Sequence, residues 1–257
     1  MYLSKLIVDL GDNPDRPRPG RLWLRNIYHV HQRLCMAFPS AARKADDPDF
    51  LKPYEPKDFL PGEVQQPQHV HNKRQTDSGF LFRIDPLDGG RAMILVQSAI
   101  QPDWEYSFHN AKHFLAAPCQ AKPFDPTFAN GQNLGFRLVA NPTRKIDTKS
   151  GPDGKNRNGR RVPVQADKLA EWLQRHGMKA GFSVEKHSCH HGYVYFNKQK
   201  GKDGNRLFSV HFDGILKVVD SAVFLQLAIT RGIGSAKALG FGLLSVMPLS
   251  PAQSEEK

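Results

Sequence analysis

In the stretch RNIYHVHQRLCMAF, residues 25–38, apolar side chains recur at Ile27, Val30, Leu34 and Phe38. That spacing predicts a short amphipathic helix that buries one stripe. Asn26 stands where its side chain can cap the first turn, and Pro39 marks the end. Upstream, residues 1–10 (MYLSKLIVDL) set out Tyr2, Leu3, Leu6, Ile7 and Val8 in a strand-like order. The proline-rich residues 11–20 (GDNPDRPRPG) predict a polar loop without regular structure. Residues 40–76 are charged, weakly periodic and broken by Pro48, Pro53, Pro56, Pro61 and Pro67, which predicts a long irregular excursion.

Order resumes with strand patterns at 79–85 and 91–98, joined by the turn residues PLDGG as a hairpin. A helix over 103–115 and a short strand over 120–124 would then complete β-α-β-β-α-β, the ferredoxin-like unit. A second set opens with a clear strand at 133–142 and a basic, turn-rich segment at 143–163. Residues 164–177 predict a helix with a stripe of Ala166, Leu169, Ala170 and Leu173, Trp172 at its flank and Gly177 closing it. Extended segments follow at 181–186, 193–197 and 206–218, the last with a bend or bulge expected at Asp213-Gly214. A helix over 221–231 and a glycine-rich loop leading into a final apolar strand, 232–248, end the set. The order of elements predicts an α+β chain of two tandem ferredoxin-like (RRM-like) domains, residues 1–128 and 129–257. No repeat in the sequence itself accompanies that order.

The chain has 257 residues, 39% of them hydrophobic, enough for two packed cores. No run of about eighteen apolar residues occurs, so no membrane-spanning helix is expected, and the first residues lack a signal-peptide pattern. Cys35, Cys119 and Cys189 are odd in number and scattered, which suits a reducing cytoplasm. A formal net charge of +11 favours polyanions, nucleic acid first among them. The excess is concentrated: Arg144, Lys145, Lys149, Lys155, Arg157, Arg160 and Arg161 face two Asp within 144–161. Gly151, Gly154 and Gly159 keep that stretch pliable. It reads as a projecting arm for a phosphate backbone, with salt-sensitive binding; a merely solvated basic loop is the plainer alternative.

Tyr28 and His31 lie three residues apart, on one helical face beside the apolar stripe. Imidazole titrates near neutrality and can both take and give a proton. Such pairs also occur on ordinary amphipathic helices, and position alone makes His29 an equal candidate. Gly232, Gly234, Gly240 and Gly242, with Lys237, lie in GIGSAKALGFG directly after a helix. Spaced glycines expose backbone N–H groups, so an RNA backbone could be cradled there. The segment is neither a Walker A loop nor a dinucleotide fingerprint. His187, Cys189, His190 and His191 cluster, and His109 and His113 stand at i,i+4. No CxxC, HExxH or paired acidic motif accompanies them, so no metal and no cofactor are expected.

Together these pieces resemble the CasE (Cse3) family, the CRISPR RNA-processing endoribonuclease of the type I-E Cascade complex. The resemblance is carried by MYLSKLIVDL, YHVHQRL, LVQS, FRLVANPTRK, GRRVP, AEWLQRHG, HFDGILKVVD and RGIGSAKALGFGLLSVMPL, in order over nearly the whole chain. It implies tandem ferredoxin-like domains of the RAMP type, and metal-independent cleavage at the 3′ base of the repeat stem-loop in precursor CRISPR RNA. The 2′-OH would attack its own phosphate, leaving a 2′,3′-cyclic phosphate and a 5′-OH. The resemblance places the catalytic histidine at His31 and its assisting tyrosine at Tyr28, and likens the arm before GRRVP to the hairpin that enters the RNA groove. Partners implied are the precursor and mature CRISPR RNA and other Cascade subunits, with no membrane. Residues 11–20 and 40–76 look enlarged relative to shorter members. A non-catalytic RNA-binding subunit of the same fold is the alternative; a metal-dependent nuclease would need an acidic cluster, and none is visible.

Overall fold

The computed structural model describes residues 1–53, 79–146, 160–198 and 204–249. The first half runs β1 (Tyr2–Asp9), α1 (Pro19–Leu24), α2 (Ile27–Cys35), α3 (Ala41–Asp46), β2 (Phe80–Leu87), β3 (Arg91–Ser98), α4 (Trp104–Phe108) and β4 (Gln120–Pro123). Its strands form one antiparallel sheet in the order β2-β3-β1-β4. The second half runs β5 (Asn133–Ala140), β6 (Thr143–Ile146), β7 (Arg160–Pro163), α5 (Leu169–Lys179), β8 (Phe182–Phe196), β9 (Asn205–Val218), α6 (Ser221–Val223) and β10 (Leu244–Pro248). The sheet order is β10-β5-β9-β8, the same arrangement read from its other edge. Strands β6 and β7 pair separately, as a hairpin inserted between β5 and α5. The α+β reading therefore holds, with two ferredoxin-like units in tandem.

Each sheet buries one face under its helices. Leu6, Val8, Phe82, Ile94 and Val96 meet Ile27, Val30 and Leu34 of α2 in the first core. Leu138, Phe212 and Leu216 meet Leu169, Trp172 and Leu173 of α5 in the second. Burying one such side chain contributes about 1.5–3 kcal/mol, so these stripes decide which face turns inward.

Several expectations give way to local physics. The end of the proline-rich loop starts α1, because Pro19 at the first helical position loses no hydrogen bond there. The next helix stops at Cys35, and Phe38 is buried in the turn beyond it. Within the expected excursion, Ser40 caps the short α3 through Arg43 N–H; residues 54–78 lie outside the described part. The helix expected over 103–115 is only α4 followed by a 3₁₀ turn, Lys112–Phe114, so His109 and His113 do not share one helix face.

In the second half, Gly177 lies inside α5, where a Cβ would stand 2.8 Å from Phe182 Cε2. Trp172 is core, while Ala166 and Ala170 are exposed. Strand β8 is continuous through the histidine cluster. Its register shifts between Val184 and Lys186, so the irregularity lies opposite β9 and not at Asp213-Gly214 itself. Gly214 is still required: a Cβ there would lie 2.0 Å from Lys186 O. After α6 the chain winds more widely through Phe224–Thr230, with Arg231 N–H reaching Gln226 O at 3.2 Å.

The two units are tied across their seam. Gln97 Nε2 of β3 donates to Ile229 O at 2.7 Å. Arg83 of β2 grips Asp85 through Nε and Nη2, and its Nη1 donates to Ser245 Oγ of β10 at 2.8 Å. The glycine-rich segment fills the space between: Gly240, with φ +79°, lies where a Cβ would be 3.2 Å from Phe82 and 3.5 Å from Ile27.

Candidate active site and nucleic-acid interface

Helix α2 is placed by its ends and its stripe. Asn26 Oδ1 accepts from Tyr28 N–H at 3.2 Å, satisfying a donor that the first turn leaves open. Ile27, Val30 and Leu34 then hold the helix on the first sheet. This leaves Tyr28 half-buried and turns His31 inward, to 8% exposure, farther than the spacing suggested. The Tyr28 and His31 rings lie 6.2 Å apart. His31 stacks against Phe80 at 6.0 Å, and Cys35 Sγ lies 3.6 Å from its Nε2.

The far end of the long β8 strand closes over this helix. Val194 and Phe196 pack against the first core although they belong to the second sheet. Asn197 N–H donates to Asn26 Oδ1 at 3.2 Å, and Asn26 Nδ2 donates back to Asn197 O at 2.8 Å. The next residue places Lys198 Nζ 5.8 Å from the centre of the Tyr28 ring, within cation–π range. A phenol, an imidazole and an ammonium thus meet where the two units join. Asn197 and Lys198 escaped the sequence reading, because nothing local links them to a helix 171 residues away. Only the cap role of Asn26 was legible.

The basic arm and the glycine-rich segment meet at a second place. Arg144, Lys145 and Arg161 lie on the β6–β7 hairpin, which also includes Arg160; Lys149, Lys155 and Arg157 fall outside the described residues. At its base, a polar cavity of about 460 Å³ is lined by Asn141, Thr143, Arg161, Trp172, His176, Gly234 and Ser235. Arg161 Nη1 donates to Thr143 Oγ1 at 3.4 Å, and Ser235 Oγ donates to Asn141 O at 3.1 Å. His176 stacks on Trp172 at 4.1 Å and donates Nδ1–H to Trp172 O. Burial pulls this imidazole below its ordinary pKa, so it is neutral at pH 7.

Of the other glycine-rich residues, Gly242 spends its N–H on Val139 O, and Lys237 Nζ reaches Arg231 O. Gly232 packs its bare Cα against Gly242 O and Leu81. Gly232, Gly240 and Gly242 thus let the backbone run close between the units, whereas Gly234 borders the cavity.

Strand β8 carries His187, Cys189 and His191 on one face and His190 on the other, along an exposed edge; His187 and His191 approach the rings of Phe212 and Phe208. Among the described residues, no group of three or more His, Cys, Asp or Glu side chains is arranged to hold a metal ion. No helix among them is long and apolar enough to cross a membrane.

Comparison with known proteins places these features in a family. A family model described as CRISPR associated protein matches residues 1–248. The CRISPR system Cascade subunit CasE of Escherichia coli (strain K12) is 31% identical over 253 residues, covering 97% of this chain and 100% of the relative. The CRISPR-associated endoribonuclease Cse3 of Thermus thermophilus is 31% identical over 221 residues, covering 80% of this chain and 95% of the relative. Among solved structures, CRISPR endoribonuclease Cse3 bound to a 19 nt RNA superposes with a TM-score of 0.67 and 26% identity, over 96% of this chain and 100% of that one.

Proposed function

Because the chain belongs to the CRISPR-associated protein family of CasE and Cse3, we propose that it is an endoribonuclease cutting precursor CRISPR RNA at the 3′ base of the repeat stem-loop. The observation that carries the reading is the Tyr28–His31 pair on a capped helix at the seam of two ferredoxin-like units, beside Lys198. The support from relatives is the name endoribonuclease and an RNA-bound neighbour. The units divide as residues 1–128 and 129–257, between the last strand of one sheet at Pro123 and the first of the next at Asn133.

The reaction needs in-line geometry, a proton path and positive charge against the developing phosphorane. The ribose 2′-oxygen attacks the adjacent phosphorus and loses its proton, the P–O5′ bond breaks, and the leaving 5′-oxygen takes a proton up. A 2′,3′-cyclic phosphate and a 5′-OH result. His31 is the proton shuttle, Tyr28 orients it or the scissile nucleotide, and no step draws on a cofactor. The arm of Arg144, Lys145, Lys149, Lys155, Arg157, Arg160 and Arg161 grips the stem. Of the expected backbone cradle, Gly234 at the Arg161 cavity is the part that can meet the RNA, whereas Gly232, Lys237, Gly240 and Gly242 are engaged within the fold. A-form RNA hides its base edges in a deep, narrow groove, so such gripping reads mainly shape.

The product stays on this protein as the 3′ hairpin of the mature RNA and enters Cascade with it. Three unpaired cysteines suit a reducing cytoplasm as the place of action. One observation favours a second reading: His31 keeps only 8% of its surface exposed, as a non-catalytic RNA-binding subunit would allow. Product ends decide between them. Incubation with a repeat hairpin should give fragments whose 5′-OH accepts phosphate from a kinase directly. Their 3′ ends should accept ligation only after the cyclic phosphate is removed. Hairpin that is bound but returned intact would establish the binding subunit.

A further inference from the structure

We infer that Asn26 is a positioning residue for the proposed cleavage, acting as a clasp that sets the Tyr28–His31 helix against the second unit. The inference rests on the reading above and adds a residue to it.

The side-chain amide of Asn26 does two jobs at once. Its Oδ1 accepts from Tyr28 N–H and from Asn197 N–H, both at 3.2 Å, while its Nδ2 donates to Asn197 O at 2.8 Å. It therefore meets both backbone groups of Asn197, as a neighbouring strand would, without leaving its place as helix cap. An ordinary cap needs only the first of these bonds. The other two make the start of α2 read the end of β8, a strand of the opposite sheet.

The consequence is geometric. Phe196, Asn197 and Lys198 are consecutive: the first packs into the core beneath α2, the second is held by Asn26, and the third sets its ammonium over Tyr28. Fixing Asn197 fixes where that ammonium can lie relative to the phenol two residues along from the cap. Glycine or alanine at 26 would break both of its bonds to the Asn197 backbone, and the hairpin end could shift by the ångström or so that costs a preorganised site most of its rate. Asn26 itself is spent on Tyr28 and Asn197 while the proposed grip on the stem lies in the basic arm, so the clasp should govern rate and not affinity.

Three variants separate the clasp from the cap. Asn26→Ala removes every bond. Asn26→Ser still caps, but its oxygen is one bond short of reaching Asn197. Asn26→Asp keeps both acceptor bonds but turns a carboxylate oxygen toward Asn197 O where the donor stood. Cleavage of a repeat hairpin is followed under single-turnover, saturating conditions, beside hairpin affinity and amide hydrogen exchange at Asn197. The expected result is a rate at least tenfold lower for Asn26→Ala and for Asn26→Ser, with affinity within twofold of wild type and faster exchange at Asn197. Asn26→Asp should recover part of the rate and of the protection. Cleavage by Asn26→Ser at the wild-type rate would overturn the inference, as would faster exchange at Asn197 without loss of rate. Absence of cleavage by the wild type itself would overturn the proposed function, whatever the exchange data showed about the clasp.

Discussion

The Cys35 thiol lies one helical turn beyond His31, its Sγ 3.6 Å from Nε2 and 3.8 Å from Nδ1. Burial pushes the thiol's pKa up, so His31 has a neutral S–H for a neighbour and not a thiolate that would hold its proton. Only thiolates alkylate readily. Iodoacetamide at pH 8 should therefore label exposed Cys189 first. Cys119, raised to about 12 by burial and then by Glu105, should follow slowly. Cys35 should react only after unfolding. Mass spectrometry of a time course checks the order; early labelling of Cys35 would mean that α2 opens in the native state.

Arg83 and Asp85 form a nearly dry ion pair at the seam, with Arg83 also holding Ser245. Removing one partner strands the other's charge. Asp85→Ala should cost about 3–5 kcal/mol in urea unfolding, and Asp85→Leu with Arg83→Met far less. Equal loss from both would show that the seam depends on the ions themselves.

Acid should weaken the second unit through two imidazoles. His176 is lowered by burial, with Arg175 and Lys179 adding to that and the Trp172 carbonyl opposing it. His211 is lowered by burial too, with Arg137 and Arg83 adding and Asp213 and Asp85 opposing. Above the ordinary value near 6.5, both states are neutral and stability does not depend on either group. Below it, the unfolded chain binds protons that the fold resists, so stability is lost as pH falls until the folded imidazoles protonate too. Tm should drop between pH 7 and pH 5. His176→Phe, which keeps a ring against Trp172, should flatten the decline.

The basic arm should report itself through salt. Arg157→Ala, Arg160→Ala and Arg161→Ala together are expected to weaken hairpin binding and to reduce the slope of log affinity against log salt by about one per lost phosphate contact. A filter-binding titration between low and moderate salt measures both; an unchanged slope would remove the arm from the interface.

What could be read from sequence followed the range of each interaction. The stripe of α2 and the Asn26 cap are local, as are the alternation of β3 and the turn before it, and all were legible. The continuity of β8 was not: it lies at a sheet edge with both faces largely exposed from Glu185 to His191, so the alternation that marks a half-buried strand is missing there. Pro19 looked like part of a loop because the prolines before it mask its role as a first helical residue. Trp172 looked peripheral because the flanking Ala residues resemble a stripe, whereas the bulky ring is what fills the core against Phe212. Nothing near Gly240 or Asn26 in the chain announces Ile27 or Asn197 as a neighbour, since the seam is made only when the two units meet.

The proposed cleavage rests on His31 moving the proton in a reaction that needs no metal. The direct measurement is single-turnover cleavage of the cognate repeat hairpin in excess EDTA, wild type beside His31→Ala, with binding measured in parallel. The wild type should cut, and His31→Ala should bind equally well but cut ~10²–10⁴-fold more slowly, the usual worth of a placed acid–base group. Equal cutting by both proteins would contradict that role and move the shuttle to another group, His29 first.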